Sequence, residues 1–165
     1  MRAQLRALHH VLVHPRATFL SLPSNRLYVL GIFGPLYCGV ARAFRSRTYE
    51  VLHGWLGGNL QVALFAAAVG LVMIPLGAWL IRQGLRLFQK RLSIIKLMNI
   101  YGYALVPRLI VAGVGYLTLF SHRTLFVAEQ PSVGLIVLTL LGLAASIYTL
   151  VLYVYGIVVC PSEDR

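Results

Sequence analysis

The stretch "LQVALFAAAVGLVMIPLGAWLI", Leu60–Ile81, decides the fold class. It runs 22 residues without a charge. About 20 apolar residues carry an α-helix across ~30 Å of hydrocarbon. In lipid a chain must satisfy its own backbone hydrogen bonds, so such a run spans as a helix. The rest of the chain is of the same kind. Of 165 residues, 59% are hydrophobic and 12% charged, and the mean hydropathy is +0.79. A water-soluble domain of this length would have to expose much of that apolar surface. The expected fold is all-α, a polytopic helical membrane protein forming one transmembrane domain over residues 1–165.

Three further apolar runs lie around this one. "LYVLGIFGPLYCGVA" (Leu27–Ala41) has 15 residues; it is short for a crossing, but Arg26 and Arg42 at its ends can snorkel and extend it. The next runs from Met98 to Phe120. The last, Val133–Cys160, holds 28 residues without a charge, enough for one tilted helix and short for a tight hairpin of two. About four transmembrane helices follow, over residues 27–41, 60–81, 98–120 and 133–160. No fixed-period repeat stands out.

Lys and Arg outnumber Asp and Glu by 15 to 4. Because the basic residues cluster between apolar runs, they point to anionic lipid headgroups and away from nucleic acid. The amino-terminal segment carries four, the second loop five and the tail one, against three in the first loop and one in the third. The positive-inside rule therefore puts the amino terminus in the cytoplasm, with the bacterial inner membrane as the expected location. Residues 1–26 form a cytoplasmic amphipathic segment with Leu5, Leu8, Val11 and Leu12 on one side; Pro15 should end its helix near Val13. Arg2, Arg6, Arg16 and Arg26 interrupt it too often for a signal peptide. "RQGLRLFQKRLSIIKLMN" (Arg82–Asn99) reads either as a basic amphipathic stretch on the membrane surface or as an extension of the neighbouring spans. Its Arg86, Lys90, Arg91 and Lys96, with Arg108 further on, are the candidate headgroup contacts. "RAFRSRTYEVLHGWLGGN" (Arg42–Asn59) reads as an interfacial loop with Trp55 at headgroup level.

Several chemistries find no support. The acids are Glu50, Glu129, Glu163 and Asp164, none inside a span, whereas an ion-coupled carrier keeps an intramembrane carboxylate as its relay. His9, His10 and His14 lack an acidic or thiol companion nearby in sequence, and Pro15 breaks the helix that would align them, so surface histidines are the expectation and no metal site is assigned. Cys38 and Cys160 have no CxxC partner. No phosphate-binding glycine loop occurs. No catalytic residue and no cofactor is expected, and the chain reads as a non-enzyme.

Pro35, Pro75 and Pro107 place a proline in each of the first three spans, tolerable where neighbours satisfy the freed carbonyls. Ala66/Gly70 and Gly142/Ser146 have the small-xxx-small spacing that lets helices approach. "YGYALVPRL" (Tyr101–Leu109) opens the third span, with Tyr101 and Tyr103 as interfacial rings, Gly102 as a flexible break, Pro107 in the first helical turns and Arg108 snorkelling back to the headgroups. If that helix begins as early as Leu92, Arg108 falls near the membrane middle instead.

"GYALVP" after a basic loop, with "HPRATF" ahead of the first span, resembles the Yip family of membrane proteins, named for Ypt/Rab-interacting proteins and including bacterial members. The resemblance rests on His14, Pro15 and Phe19, then on Gly102, Tyr103 and Pro107, with "SIYTLVLYVYGI" (Ser146–Ile157) similar to the family's fourth helix. The family usually has five spans, and this chain stops at "VVCPSEDR" after the fourth; a lost fifth helix is the expectation, a distorted Val133–Cys160 stretch the alternative. The resemblance implies a non-enzymatic membrane protein. The reading is a scaffold or membrane-organising protein touching anionic lipid, with Rab binding not carried over. A transporter or channel subunit, complete only as a homo-oligomer or with a membrane-protein partner, is the alternative.

Overall fold

The computed structural model describes residues 10–43, 46–121 and 133–163, and among these it is helical without a strand. Among the described residues the helices are, in order, α1 (Pro15–Ser21), α2 (Val29–Ala43), α3 (Ser46–Leu56), α4 (Asn59–Leu87), α5 (Ile94–Ala104), α6 (Val106–Ser121) and α7 (Val133–Val159). Asn59–Leu87, Ile94–Gly115 and Ile136–Val159 are long and apolar enough to cross a membrane, and Val29–Ala41 is a shorter apolar helix beside them. The bundle agrees with the expected count of about four spans.

Proline punctuation acts where expected and starts a new element as well. Residues 10–13 form a helical turn, His14 leaves helical geometry, and Pro15 occupies the first turn of α1. A missing N–H costs nothing there, because that donor would have no partner anyway. α1 then drives Phe19 fully into the core, so this part of the amino-terminal segment packs on the bundle. Residues 1–9 lie outside the described residues.

α4 is 29 residues long, about 43 Å at 1.5 Å per residue. It buries only Val62, Ala66, Gly70 and Ala78, a one-sided stripe at multiples of four. Its other faces present Leu64, Val72, Leu76 and Leu80 outward, which is stable only with lipid as solvent. α7 is one continuous helix of 27 residues, so Val133–Cys160 is not split in two. In the most apolar windows of α4 and α7, 17% of residues are buried, against 56% in Ile94–Gly115. The α5–α6 pair is therefore the centre of the bundle. α2 packs on α4 and α5, while α7 packs on α5, α6 and α1.

Small residues fix these crossings. A Cβ on Gly39 would overlap the Ala66 carbonyl of α4, one on Gly70 the Pro35 carbonyl of α2, and one on Gly102 the backbone of Leu30 and Gly31. The Ala66/Gly70 spacing thus marks a real helix contact. Gly142 faces open space, and the Gly142/Ser146 pair makes an intrahelical bond from Ser146 Oγ to Gly142 O instead. Gly102 lies inside α5 and serves close approach, not flexibility. The actual interruption falls at Leu105, two residues before Pro107. Proline lacks the N–H that Tyr103 O would accept, and its ring crowds that carbonyl. The ladder resumes at once, with Leu109 N donating to Leu105 O at 2.9 Å.

The expected loop Arg42–Asn59 contains α3, whose Tyr49, Leu52 and Leu56 pack against Ala43, Val62 and Ala66. Trp55 is 85% exposed, as an interfacial ring would be. The helix ends at Gly57, whose φ of +75° is the left-handed cap that glycine takes without a Cβ penalty.

Candidate functional site

Between α4 and α5 the chain must reverse, and the sequence offers "LFQKRLS" to do it. Gln89 adopts φ +57°, Gln89 N donates to Arg86 O and Lys90 N to Leu85 O, both at 3.0 Å. This paired pattern closes a helix end with a left-handed residue, usually glycine. Here a residue with a side chain holds the position. Leu92 then plugs the core at 2% exposure, and Ser93 caps α5 by accepting from Lys96 N at 3.2 Å.

The carboxyl-terminal tail completes that cap. Ser93 N donates to Glu163 Oε2 at 3.0 Å, Ser24 Oγ donates to Glu163 Oε1, and Ser93 Oγ donates to Ser24 O at 3.1 Å. In an ordinary capping box an acid three residues into the helix reaches back to the cap N–H. Lys96 stands at that place, so the acid comes from 70 residues away. Lys96 Nζ lies 3.9 Å from Glu163 Oε1 with 7% of its side chain exposed, and the carboxylate also complements the positive end of the helix dipole. Glu163 N donates to Arg91 O at 2.8 Å. At the end of α7, Lys90 Nζ donates to Val158 O at 2.7 Å, a cation on free carbonyls at a helix carboxyl end. Cys160 Sγ donates to Phe19 O at 3.3 Å; burial pushes this thiol above its ordinary pKa, though Lys96 and Lys90 pull the other way. It stays a protonated donor.

Asn99 ties the first loop to the same end. Fully buried, it accepts from Tyr28 N at 2.8 Å and donates to Pro23 O at 3.1 Å and Arg26 O at 2.8 Å. The α1–α2 loop, the α4–α5 turn and the tail are thereby gathered at one end of the bundle.

A cavity of about 830 Å³ opens there, lined by Arg82, Arg86, Gln89, Arg91, Leu92, Ser93 and Glu163. Arg82 and Arg86 sit one helical turn apart on α4 and share a face. Arg86 Nη1 donates to Gln83 Oε1 at 3.0 Å. Among the described residues the ion pair is Lys96–Glu163, and none of the described acids pairs with the three guanidiniums.

Of the expected headgroup contacts, Arg86 and Arg91 line this cavity, Lys90 is spent on α7, and Lys96 is turned inward to Glu163. Arg108 stands apart. Helix formation begins at Ile94, placing Arg108 fourteen residues along the α5–α6 pair, about 21 Å. It lines one cavity of about 420 Å³ with Cys38, Tyr101 and α4 residues, and another of about 440 Å³ with Tyr37 and α7 residues. Sequence reading missed Arg82, Gln89, Ser93, Asn99 and Glu163. A serine directly before an apolar run was the available cap signal; the acid to expect three residues later is a lysine, which hid it.

His14 breaks the first helix and its ring lies 6.0 Å from that of His10; no group of three His, Cys, Asp or Glu gathers among the described residues. Phe19 meets Gly156, and Pro107 is buried in the first turn of α6. Tyr103 is fully buried, edge-on to Tyr28 at 6.2 Å. Tyr101 is half-buried, 3.0 Å from Cys38 Sγ through its hydroxyl and edge-on to Tyr153 at 5.5 Å. Both tyrosines are packed rings within the bundle, not free interfacial anchors.

Among curated proteins and among solved structures nothing matches this chain. A family model described as Yip1 domain matches residues 10–163. That range takes in α1 with its Pro15 start, the crossing at Gly102 and the tail that caps α5, and the chain is an integral membrane protein belonging to the Yip1 domain family.

Proposed function

We propose that this chain is a non-enzymatic, membrane-organising protein of the bacterial inner membrane that gathers anionic lipid at a cytoplasmic basic face. The observation that carries the reading is the end of the bundle where α1, the α1–α2 loop, the last turns of α4, the α4–α5 turn and the tail meet. Arg16, Arg26, Arg82, Arg86, Lys90 and Arg91 belong to those segments, and only Glu163 among the described residues there is acidic. By the positive-inside rule that end faces the cytoplasm. Each basic residue at a membrane surface adds roughly 1 kcal/mol of attraction to an anionic leaflet. In vesicles of mixed composition, a spin-labelled anionic lipid should be immobilised around the protein several-fold more than its zwitterionic counterpart. Neutralising Arg86, Lys90 and Arg91 together to Gln should remove most of the preference. Equal immobilisation of both lipids by the unaltered chain would rule the reading out.

A second reading draws on Arg108. A guanidinium lining two cavities without an ion pair among the described residues suits an oligomeric transporter or channel subunit, since intramembrane charges cluster on polar pathways. Cross-linking in native membranes and flux in proteoliposomes test it together. A strict monomer without flux, or flux untouched by Arg108→Gln, argues for the scaffold.

A further inference from the structure

We infer that the cavity at the α4–α5 turn is a stoichiometric binding site for a lipid-borne phosphate carrying two negative charges, either a phosphomonoester or a pair of diesters on one headgroup. It rests on the lipid-gathering reading for its level in the membrane, and adds to it a single saturable pocket.

Three features converge. Arg82, Arg86 and Arg91 are guanidiniums around one recess, and guanidinium forks match phosphate oxygens two at a time. The one carboxylate in the lining, Glu163, is already held by Ser93 N and Ser24 Oγ and lies beside Lys96. Its charge is balanced there, so among the described residues the three arginines have no carboxylate partner. The volume of about 830 Å³ falls within the ordinary range for small-molecule pockets, roughly 300–1,000 Å³.

Gln89 supplies the second line. Its φ of +57° is a conformation glycine adopts without cost, yet an amide side chain lines the recess at that residue. Strained positions of this kind concentrate at ligand sites. An amide N–H₂ adds neutral donors to an anion-binding wall.

The source of the phosphate follows from the neighbours. Leu87 and Phe88, between Arg86 and Gln89, are 84% and 81% exposed. Two large apolar side chains fully presented at a helix end belong in the boundary between acyl chains and headgroups. Their place in the chain between the lining residues Arg86 and Gln89 sets the recess near the level of headgroup phosphates, which favours a lipid over a soluble phosphate. Recognition is then a two-part grip, with arginines on the phosphate and Leu87 and Phe88 offering apolar contact to the lipid.

The test uses the full chain in phosphatidylcholine nanodiscs, adding phosphatidic acid, cardiolipin or phosphatidylglycerol, with inorganic phosphate and glycerol phosphate as soluble arms. Native mass spectrometry counts retained lipid, and tryptophan fluorescence gives Tm. The expected result is one retained phosphatidic acid or cardiolipin per chain, with phosphatidylglycerol retained less, and a rise in Tm that saturates at one equivalent. The triple variant Arg82→Gln/Arg86→Gln/Arg91→Gln should bind at least about tenfold more weakly while keeping the wild-type Tm in phosphatidylcholine alone. The comparison variant Arg16→Gln/Arg26→Gln removes charge from the same face outside the recess; it should lower general anionic enrichment while retention still saturates at one lipid per chain. Gln89→Gly should weaken retention yet raise the Tm of the lipid-free state. Equal losses of retention in the triple variant and the comparison variant, or retention without saturation, would overturn the pocket while leaving general anionic enrichment standing. Protection by inorganic phosphate alone, at concentrations matching the lipid, would overturn the lipid source.

Discussion

Gly102→Leu should destroy the bundle, and even Gly102→Ala should cost it heavily. The Cβ of any residue at this position meets the backbone of Leu30 and Gly31 in α2. Backbone cannot rotate aside as a flexible side chain can, so the two helices must separate. Separation would also pull apart the Tyr28–Tyr103 ring contact and the Tyr28 N–Asn99 bond. Overpacking of a closed core costs about 1–3 kcal/mol, sometimes more; alanine should fall at the upper part of that range and leucine beyond it. Unfolding in mixed detergent micelles, followed by far-UV circular dichroism, measures the difference. Gly113→Ala and Gly142→Ala are the companions, since a Cβ at either meets nothing within 4 Å. They should be neutral or gain up to about 1 kcal/mol of helix propensity. A Gly102→Ala variant as stable as these two would refute the crossing.

Asn99→Leu should be the second large loss. The side chains are of similar size, so packing is nearly preserved and the change isolates three hydrogen bonds. Tyr28 N, Pro23 O and Arg26 O would lose their common partner. An unsatisfied buried polar group costs about 1–3 kcal/mol, partly relieved here because Arg26 is exposed at the bundle end and water can reach some of the loop. A net loss of about 3 kcal/mol is expected. Asn99→Asp keeps an acceptor for Tyr28 N but faces two carbonyls with no donors, and should be no better. Freed from Asn99, the 22–28 loop should be cut by trypsin after Arg26 much faster than in the unaltered protein. Unchanged cleavage in both variants would mean that Asn99 does not tether it.

Comparing these two positions shows how far sequence patterns reach. Gly102 and Tyr103 stood out as motif residues, yet the roles read from them were local: a flexible break and an interfacial ring. Both make long-range contacts, Gly102 with Leu30 and Gly31 of α2 and Tyr103 with Tyr28 just ahead of it, about 70 positions earlier in the chain. Asn99 drew no notice, because one polar residue at the edge of an apolar run looks like the run's boundary. Glu163 looked like a loose terminal acid and is instead the missing half of the α5 cap. Arg82 was counted as loop charge, while α4 extends past Ile81 to Leu87 and carries it into the rim of a cavity. Each miss has one cause. Hydropathy reports where a segment partitions, not which other segment it meets.

What the residues settled by themselves was partition and punctuation: hydrocarbon as solvent, about four helices, a break ahead of Pro15, a disturbance near Pro107 and basic clusters between spans. These depend on transfer of side chains from water and on φ restrictions, both properties of short stretches of chain. The tertiary structure alone decided that α5–α6 is central, that Gly39, Gly70 and Gly102 are crossing points, that Lys96 is withdrawn to Glu163 and that three arginines share one recess. Lipid is as apolar as the side chains it touches, so burial supplies little preference among helix faces. The choice falls to close backbone approach and to a few polar bonds, and those exist only once distant segments have met.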